Sequence, residues 1–171
     1  APRGVVAKPE RQVLAELFTS MLVLSASFKY RPAPGCPNFL YWIDGEWSLS
    51  LIEPGQWSAG RRAGFVGTCV LQPDMTWTIT PSTQLADSAP LQEAIRQFYR
   101  GFAGMLNTDL PLEDLLPFHV SRLSYYPRLL ANALSRSVSA TAERGGRAAA
   151  SGREWSLQLP ESGRALLAGG K

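Results

Sequence analysis

Apolar and polar positions follow two different periods along this chain. In residues 46–51, Trp47, Leu49 and Leu51 alternate with Glu46, Ser48 and Ser50, the two-residue repeat of a strand with one covered face. The run Phe39-Leu40-Tyr41-Trp42-Ile43 precedes it and is joined to it by Asp44-Gly45. Asp-Gly suits a two-residue hairpin, whose central residues need positive φ. A second pair follows: Phe65 to Gln72, a turn at Pro73-Asp74, and Met75 to Thr80, where Trp77 and Ile79 alternate with threonines. Residues 38–80 therefore predict two hairpins arranged as an antiparallel meander, with an apolar side that needs a helical cover.

Outside this region the period changes to three and four. Leu14, Leu17, Phe18, Met21, Leu22 and Phe28 follow Pro9 and Glu10, predicting a helix over 9–30 with proline in its first turn. Val23 and Leu24 widen the apolar stripe, so this helix is covered on more than one side. Leu91, Ala94, Ile95, Phe98, Phe102 and Leu106 predict a second helix over 88–106, capped by Ser88. Gly101 and Gly104 weaken it unless they allow close packing. Leu129, Leu130, Ala133, Leu134 and Val138 predict a third helix over 127–144, stopped by Gly145-Gly146. Near the C-terminus, Glu154-Trp155-Ser156-Leu157-Gln158-Leu159 echoes the pattern that begins at Glu46 and predicts an added edge strand. The expected fold is α+β: a central antiparallel sheet of four to five strands (two hairpins plus a C-terminal strand) with about three helices on one face. Residues 1–144 form a single domain in this reading, and 145–171 a flexible segment carrying the added strand.

A chain of 171 residues, 45% apolar and 18% charged, suits one soluble domain. Its charge is uneven: residues 1–118 carry 9 Lys+Arg against 11 Asp+Glu, and residues 119–171 carry 8 against 3. The basic end is read first as a solvated face and second as a contact for an acidic partner. Cys36 and Cys69 are too few for a disulfide framework and match no zinc spacing, so they are expected as reduced thiols in a cytoplasmic protein. Ala1-Pro2-Arg3-Gly4 leads into a charged segment rather than an apolar one, so no secretory signal is expected there. The most hydrophobic window, Leu17 to Phe28, is about 12 residues against the ~20 needed to span a bilayer.

Candidate chemistry is sparse. His119 is the sole histidine, with no nucleophile-elbow pattern elsewhere. No metal-ligand spacing, phosphate cradle or cofactor motif is present, so no cofactor and no metal are expected. Asp44, Glu46, Glu53 and Asp74 fall at hairpin turns and would serve a hydrolase if they converged at one sheet end. The aromatic set is more suggestive. Trp42, Trp57 and Trp77 accompany the sheet, with Arg61 and Arg62 in the adjoining loop, and Trp, Tyr and Arg dominate interface hot spots.

These five residues, Trp42, Trp57, Arg61, Arg62 and Trp77, are the candidate contact set. The expected function is non-catalytic binding of another macromolecule, first a protein partner or a second copy of the chain. The alternatives are a nucleic-acid module, stacking bases on sheet aromatics beside C-terminal arginines, and a small hydrolase using His119 or the turn carboxylates.

One stretch also resembles a known family. Ser50-Leu51-Ile52-Glu53-Pro54-Gly55-Gln56-Trp57, then Phe65-Val66-Gly67, then Asp74-Met75-Thr76-Trp77-Thr78 is similar to a small uncharacterised family, a domain of unknown function with bacterial and animal members. The similarity covers Tyr41 to Thr78. It implies no activity and no catalytic residues, only that the two hairpins are a reusable module flanked by helices of this protein's own.

Overall fold

The computed structural model describes residues 8–112, 114–115 and 150–167. Within them four strands, β1 (Pro37–Ile43), β2 (Glu46–Ser50), β3 (Phe65–Leu71) and β4 (Trp77–Pro81), form one antiparallel sheet. Five α-helices surround it: α1 (Glu10–Leu24), α2 (Ala59–Arg62), α3 (Ala89–Leu106), α4 (Gly152–Ser156) and α5 (Gly163–Leu167). The class is α+β, as the two periods predict.

The hairpin turn forms where Asp-Gly demands it, with φ of 53° at Asp44 and 76° at Gly45, the left-handed values of a type I′ turn. The strand order, however, is β2-β1-β3-β4, not a meander. The connector after β2 returns across β1 before β3 begins, so β3 pairs with β1, Phe39 opposite Thr68 and Tyr41 opposite Phe65. Val66 is the extra residue of a bulge between these pairs.

α1 is sandwiched, which explains its broad stripe. On one side Ser20 Oγ accepts from Trp77 N at 2.9 Å. On the other, the Phe18 ring meets Phe98 and Phe102 of α3 at centroid distances of 5.6 and 5.2 Å. The helix ends at Leu24 rather than 30, because Ser27 leaves it to bridge β2: its N donates to Trp47 O and its O accepts from Leu49 N. α3 starts on the Ser88 cap, whose side chain accepts from Leu91 N.

The C-terminal segment corrects the sequence in two ways. Glu154–Leu159 is not a strand; α4 begins there on a capping box in which Ser151 and Glu154 bond each other's backbone N–H. Nor is 152–167 a flexible appendage. Trp155, Leu166 and Leu167 are buried in the main core, and α5 packs on α1 and α3. Gly163 permits this, since a Cβ there would sit 3.0 Å from Tyr99 Cβ. The expected helix 127–144 lies outside the described residues.

Candidate functional site

Alternation along the strands sorts the sheet aromatics onto two faces. Leu40, Trp42, Trp47, Leu49, Cys69, Leu71, Trp77 and Ile79 point toward α1 and belong to, or pack against, the main core. Trp77 is 1% exposed. Trp42 and Trp47 are cross-strand partners with ring centroids 4.8 Å apart. Of the five candidate contact residues, Trp77 is thus under α1 and Trp42 on the core side, away from the other three.

The opposite face carries a second aromatic cluster, separate from the main core. Phe39 and Phe65 rings lie 6.2 Å apart, Tyr41 and Phe65 5.6 Å, and Tyr41 and Trp57 6.3 Å, edge to face. Arg61 sits over the Trp57 ring, its Cζ 4.4 Å from the centroid. Trp57, Arg61 and Arg62 are therefore brought together, and Arg61 and Arg62 are exposed and form no ion pair.

Local chemistry puts them there. After β2 the chain folds back over Tyr41, whose hydroxyl donates to Ile52 O at 2.7 Å. Pro54 opens a 3-10 turn and Ser58 leads into α2, so Arg61 and Arg62 ride on a helical turn rather than an open loop. This fold leaves Leu51 60% exposed and Ile52 39% exposed beside the cluster. Burial raises the Tyr41 phenol pKa; the Trp57 indole N–H opposes the shift and the Glu53 carboxylate adds to it. The same Trp57 Nε1 is buried and lacks a hydrogen bond of good geometry.

Phe39 and Phe65 were not singled out from the sequence. The signal for Phe39 was the apolar run 39–43 within β1, since consecutive apolar positions fall on both faces of a strand; Phe65, which opens a strand interrupted by Gly67 and Thr68, had no such signal. The 51–62 segment lies on this side, with Ile52 and Trp57 over Tyr41. Around the cluster, the registers place Ser50 beside Phe39 and Ser48 beside Tyr41 on β2. On the other side Thr68 pairs with Thr80 and Val70 with Thr78. The result is an apolar patch of Phe39, Tyr41, Phe65 and Val70, interrupted by Thr68, with hydroxyl groups on both rims.

Other candidates fare differently. Because β1 and β3 are antiparallel neighbours, the Asp44 turn and the Asp74 turn lie at opposite ends of the sheet, so the turn carboxylates do not converge. Asp74 is instead 7% exposed and bonded to Lys8 Nζ at 2.6 Å, to Thr76 N at 3.1 Å and to Thr76 Oγ1 at 2.6 Å. Lys8 also meets Glu16 at 2.7 Å. His119 lies outside the described residues. Among those described, no group of three His, Cys, Asp or Glu is placed to hold a metal ion, and no helix is long and apolar enough to cross a membrane. Cys36 is exposed and Cys69 buried, both as free thiols. Of the C-terminal arginines, Arg153 is bound to Asp109 and Asn107, by α3 rather than on the open face. A groove of about 470 Å³ runs between α1 and β4, lined by Ala15, Glu16, Thr19, Ile79 and Leu166.

No family model, no curated protein and no solved structure matches the chain.

Proposed function

We propose that this protein binds a protein partner through the sheet face opposite α1. The observation that carries the reading is the Phe39–Tyr41–Phe65–Trp57 cluster standing outside the main core, with unpaired Arg61 and Arg62 at its end. Aromatic anchors beside arginine, ringed by small hydroxyl residues, have the composition of an interface centre. Free thiols at Cys36 and Cys69 support a reducing, cytoplasmic setting.

Hydroxyl-radical footprinting of the full protein, alone and in extract from its native cell, tests this. Phe39, Trp57 and Phe65 should react in the isolated protein and lose reactivity in the extract, while Leu157, 80% exposed, should not change. Arg61→Glu should restore reactivity in the extract. Equal protection of Phe39 and Trp57 in the isolated protein would show the chain covering its own face and defeat the proposal.

A further inference from the structure

We infer that residues 1–7 of this chain dock as an added strand along the edge of β4, with Val5 opposite Ile79. The site lies at the sheet edge beside α1, away from the face proposed for partner binding, and does not rest on that reading. It follows from which backbone groups the two edges leave unpaired. On β2 the edge is closed, because Ser27 N donates to Trp47 O and Ser27 O accepts from Leu49 N. On β4 the inward bonds alternate. Gln72 N to Thr76 O and Ser82 N to Val66 O bracket the ladder, so Thr78 and Thr80 bond to β3 while Trp77, Ile79 and Pro81 turn their backbone outward. Ser20 Oγ takes the Trp77 N–H. Among the described residues nothing takes the Ile79 N–H, Ile79 O or Pro81 O.

These open groups border the groove of about 470 Å³ between α1 and β4. Residues of both β4 faces line it, Ile79 from one and Thr78 and Thr80 from the other, so the groove follows the edge of the strand. Its far wall is apolar, from Ala15, Leu166 and Leu167. An occupant there meets backbone partners on one side and apolar surface on the other, the two requirements of strand addition.

Lys8 brings the occupant to the site. Its Nζ is held at 2.6 Å by Asp74, in the turn that leads into β4, and at 2.7 Å by Glu16 of the groove wall. The chain before it is Ala1-Pro2-Arg3-Gly4-Val5-Val6-Ala7. Followed back from the Asp74 end toward Pro81, it lies antiparallel to β4. Five residues of β4 span about 17 Å, and seven extended residues reach ~23 Å. With Val5 opposite Ile79, those two exchange both bonds and Arg3 N–H meets Pro81 O. Pro2 falls beyond the last pair, where its missing N–H costs nothing. Val5 then shares the side of Ile79, toward Ala15 and Leu166, and β-branched Val5 and Val6 suit a strand. The tether at Lys8 makes the pairing intramolecular. The stretch 116–149, also outside the described residues, starts elsewhere. Its flanks are drawn together by the Pro111–Ser151 bridge, past the C-terminal end of α3. By contrast α5, which lines the groove, sets Gly163 against Ile95 and Tyr99, about two turns before that end.

NMR of the full chain tests the inference in two ways. Val6 and Thr78 form a non-hydrogen-bonded pair in this register, so their Hα protons should be in contact in the unaltered protein. The Ile79 amide should also be protected there, and should exchange roughly tenfold faster or more in Val5→Asp, which sets a carboxylate against Ala15 and Leu166. Thr78 N–H, bonded inward to β3, should keep its protection and report an intact sheet. Free exchange of the Ile79 amide in the unaltered protein overturns the inference, as does equal protection in a folded Val5→Asp. An Hα contact from Thr78 to a residue of 116–149 gives the edge to that stretch, and one seen only between differently labelled copies gives it to a second molecule; both outcomes overturn it. The Hα contact is read on the unaltered protein and decides the matter even where Val5→Asp does not fold.

Discussion

Arg61 stacks on Trp57 at 4.4 Å, and Trp57 in turn stands edge-on to Tyr41, 6.3 Å away, so one surface cation is tied to a phenol only 1% exposed. This relationship separates two tryptophans that look equivalent in sequence. Trp57→Ala opens a half-covered site and should cost about 1–2 kcal/mol, whereas Trp77→Ala empties a core position and should cost about 3–5 kcal/mol. Burial is the main reason the Tyr41 pKa is raised. Removing the indole should bring it back toward its ordinary value, although one opposing contact is lost as well. Urea denaturation and spectrophotometric phenol titration check both; equal destabilisation by the two variants would contradict the two-faced sheet.

Sequence legibility is best judged from one repeated tetrapeptide. Glu-Trp-Ser-Leu occurs at 46–49 and at 154–157, as a strand the first time and a helix the second. Nothing inside the four residues decides. Asp44-Gly45 upstream fixes a hairpin, while Ser151 upstream offers a cap that Glu154 completes, and the alternation that reads as a strand then leaves Leu157 exposed. Local signals likewise revealed α1, α3 and both hairpins. Strand order was not legible, because it depends on where the connector 51–64 crosses, and the contacts that hold the connector there, such as Tyr41 to Ile52 O, join residues with no local pattern between them. The same tertiary step divided the candidate contacts: Trp57, Arg61 and Arg62 share a face, while Trp42 and Trp77 turn inward.

Glycines in the helices divide sharply by what surrounds them. Gly101 and Gly104 have open space where a Cβ would be, so Gly101→Ala and Gly104→Ala should each stabilise by roughly 0.5–1 kcal/mol. At Gly152 a Cβ would lie 2.6 Å from Leu106 O, and Gly152→Ala should destabilise by about 1–3 kcal/mol. Thermal melts of the three variants give the signs directly. A stabilised Gly152→Ala would mean that α4 does not dock against α3.

Thiol chemistry offers an independent probe of the core. Cys69 is fully buried, and burial pushes its thiol pKa far above the ordinary value, whereas Cys36 is exposed. A colorimetric disulfide reagent should therefore titrate one thiol in the native protein and two after denaturation. Cys36→Ser should abolish the native reaction. Rapid reaction of both native thiols would place Cys69 at the surface.

The Lys8–Glu16–Asp74 cluster makes stability depend on pH in a stated direction. Burial opposes ionisation of Asp74, but the hydrogen bonds from Lys8 and Thr76 outweigh it, so its folded pKa lies below the ordinary carboxylate value. Its stabilisation is complete above the unfolded value near 4 and disappears as pH falls through the folded one. Lys8 behaves in mirror image. Burial lowers its pKa, Asp74 and Glu16 more than reverse this, and the net shift is upward. That contribution is complete below roughly pH 10.4 and fades as pH rises through the folded value. Denaturation between acid and alkali should therefore show a plateau whose acid shoulder is reduced by Asp74→Asn. Lys8→Met should cost roughly 3 kcal/mol on the plateau, because it leaves two poorly solvated carboxylates without their shared cation. Unchanged acid shoulders in Asp74→Asn would mean that this cluster does not couple the segment before α1 to the β3–β4 turn.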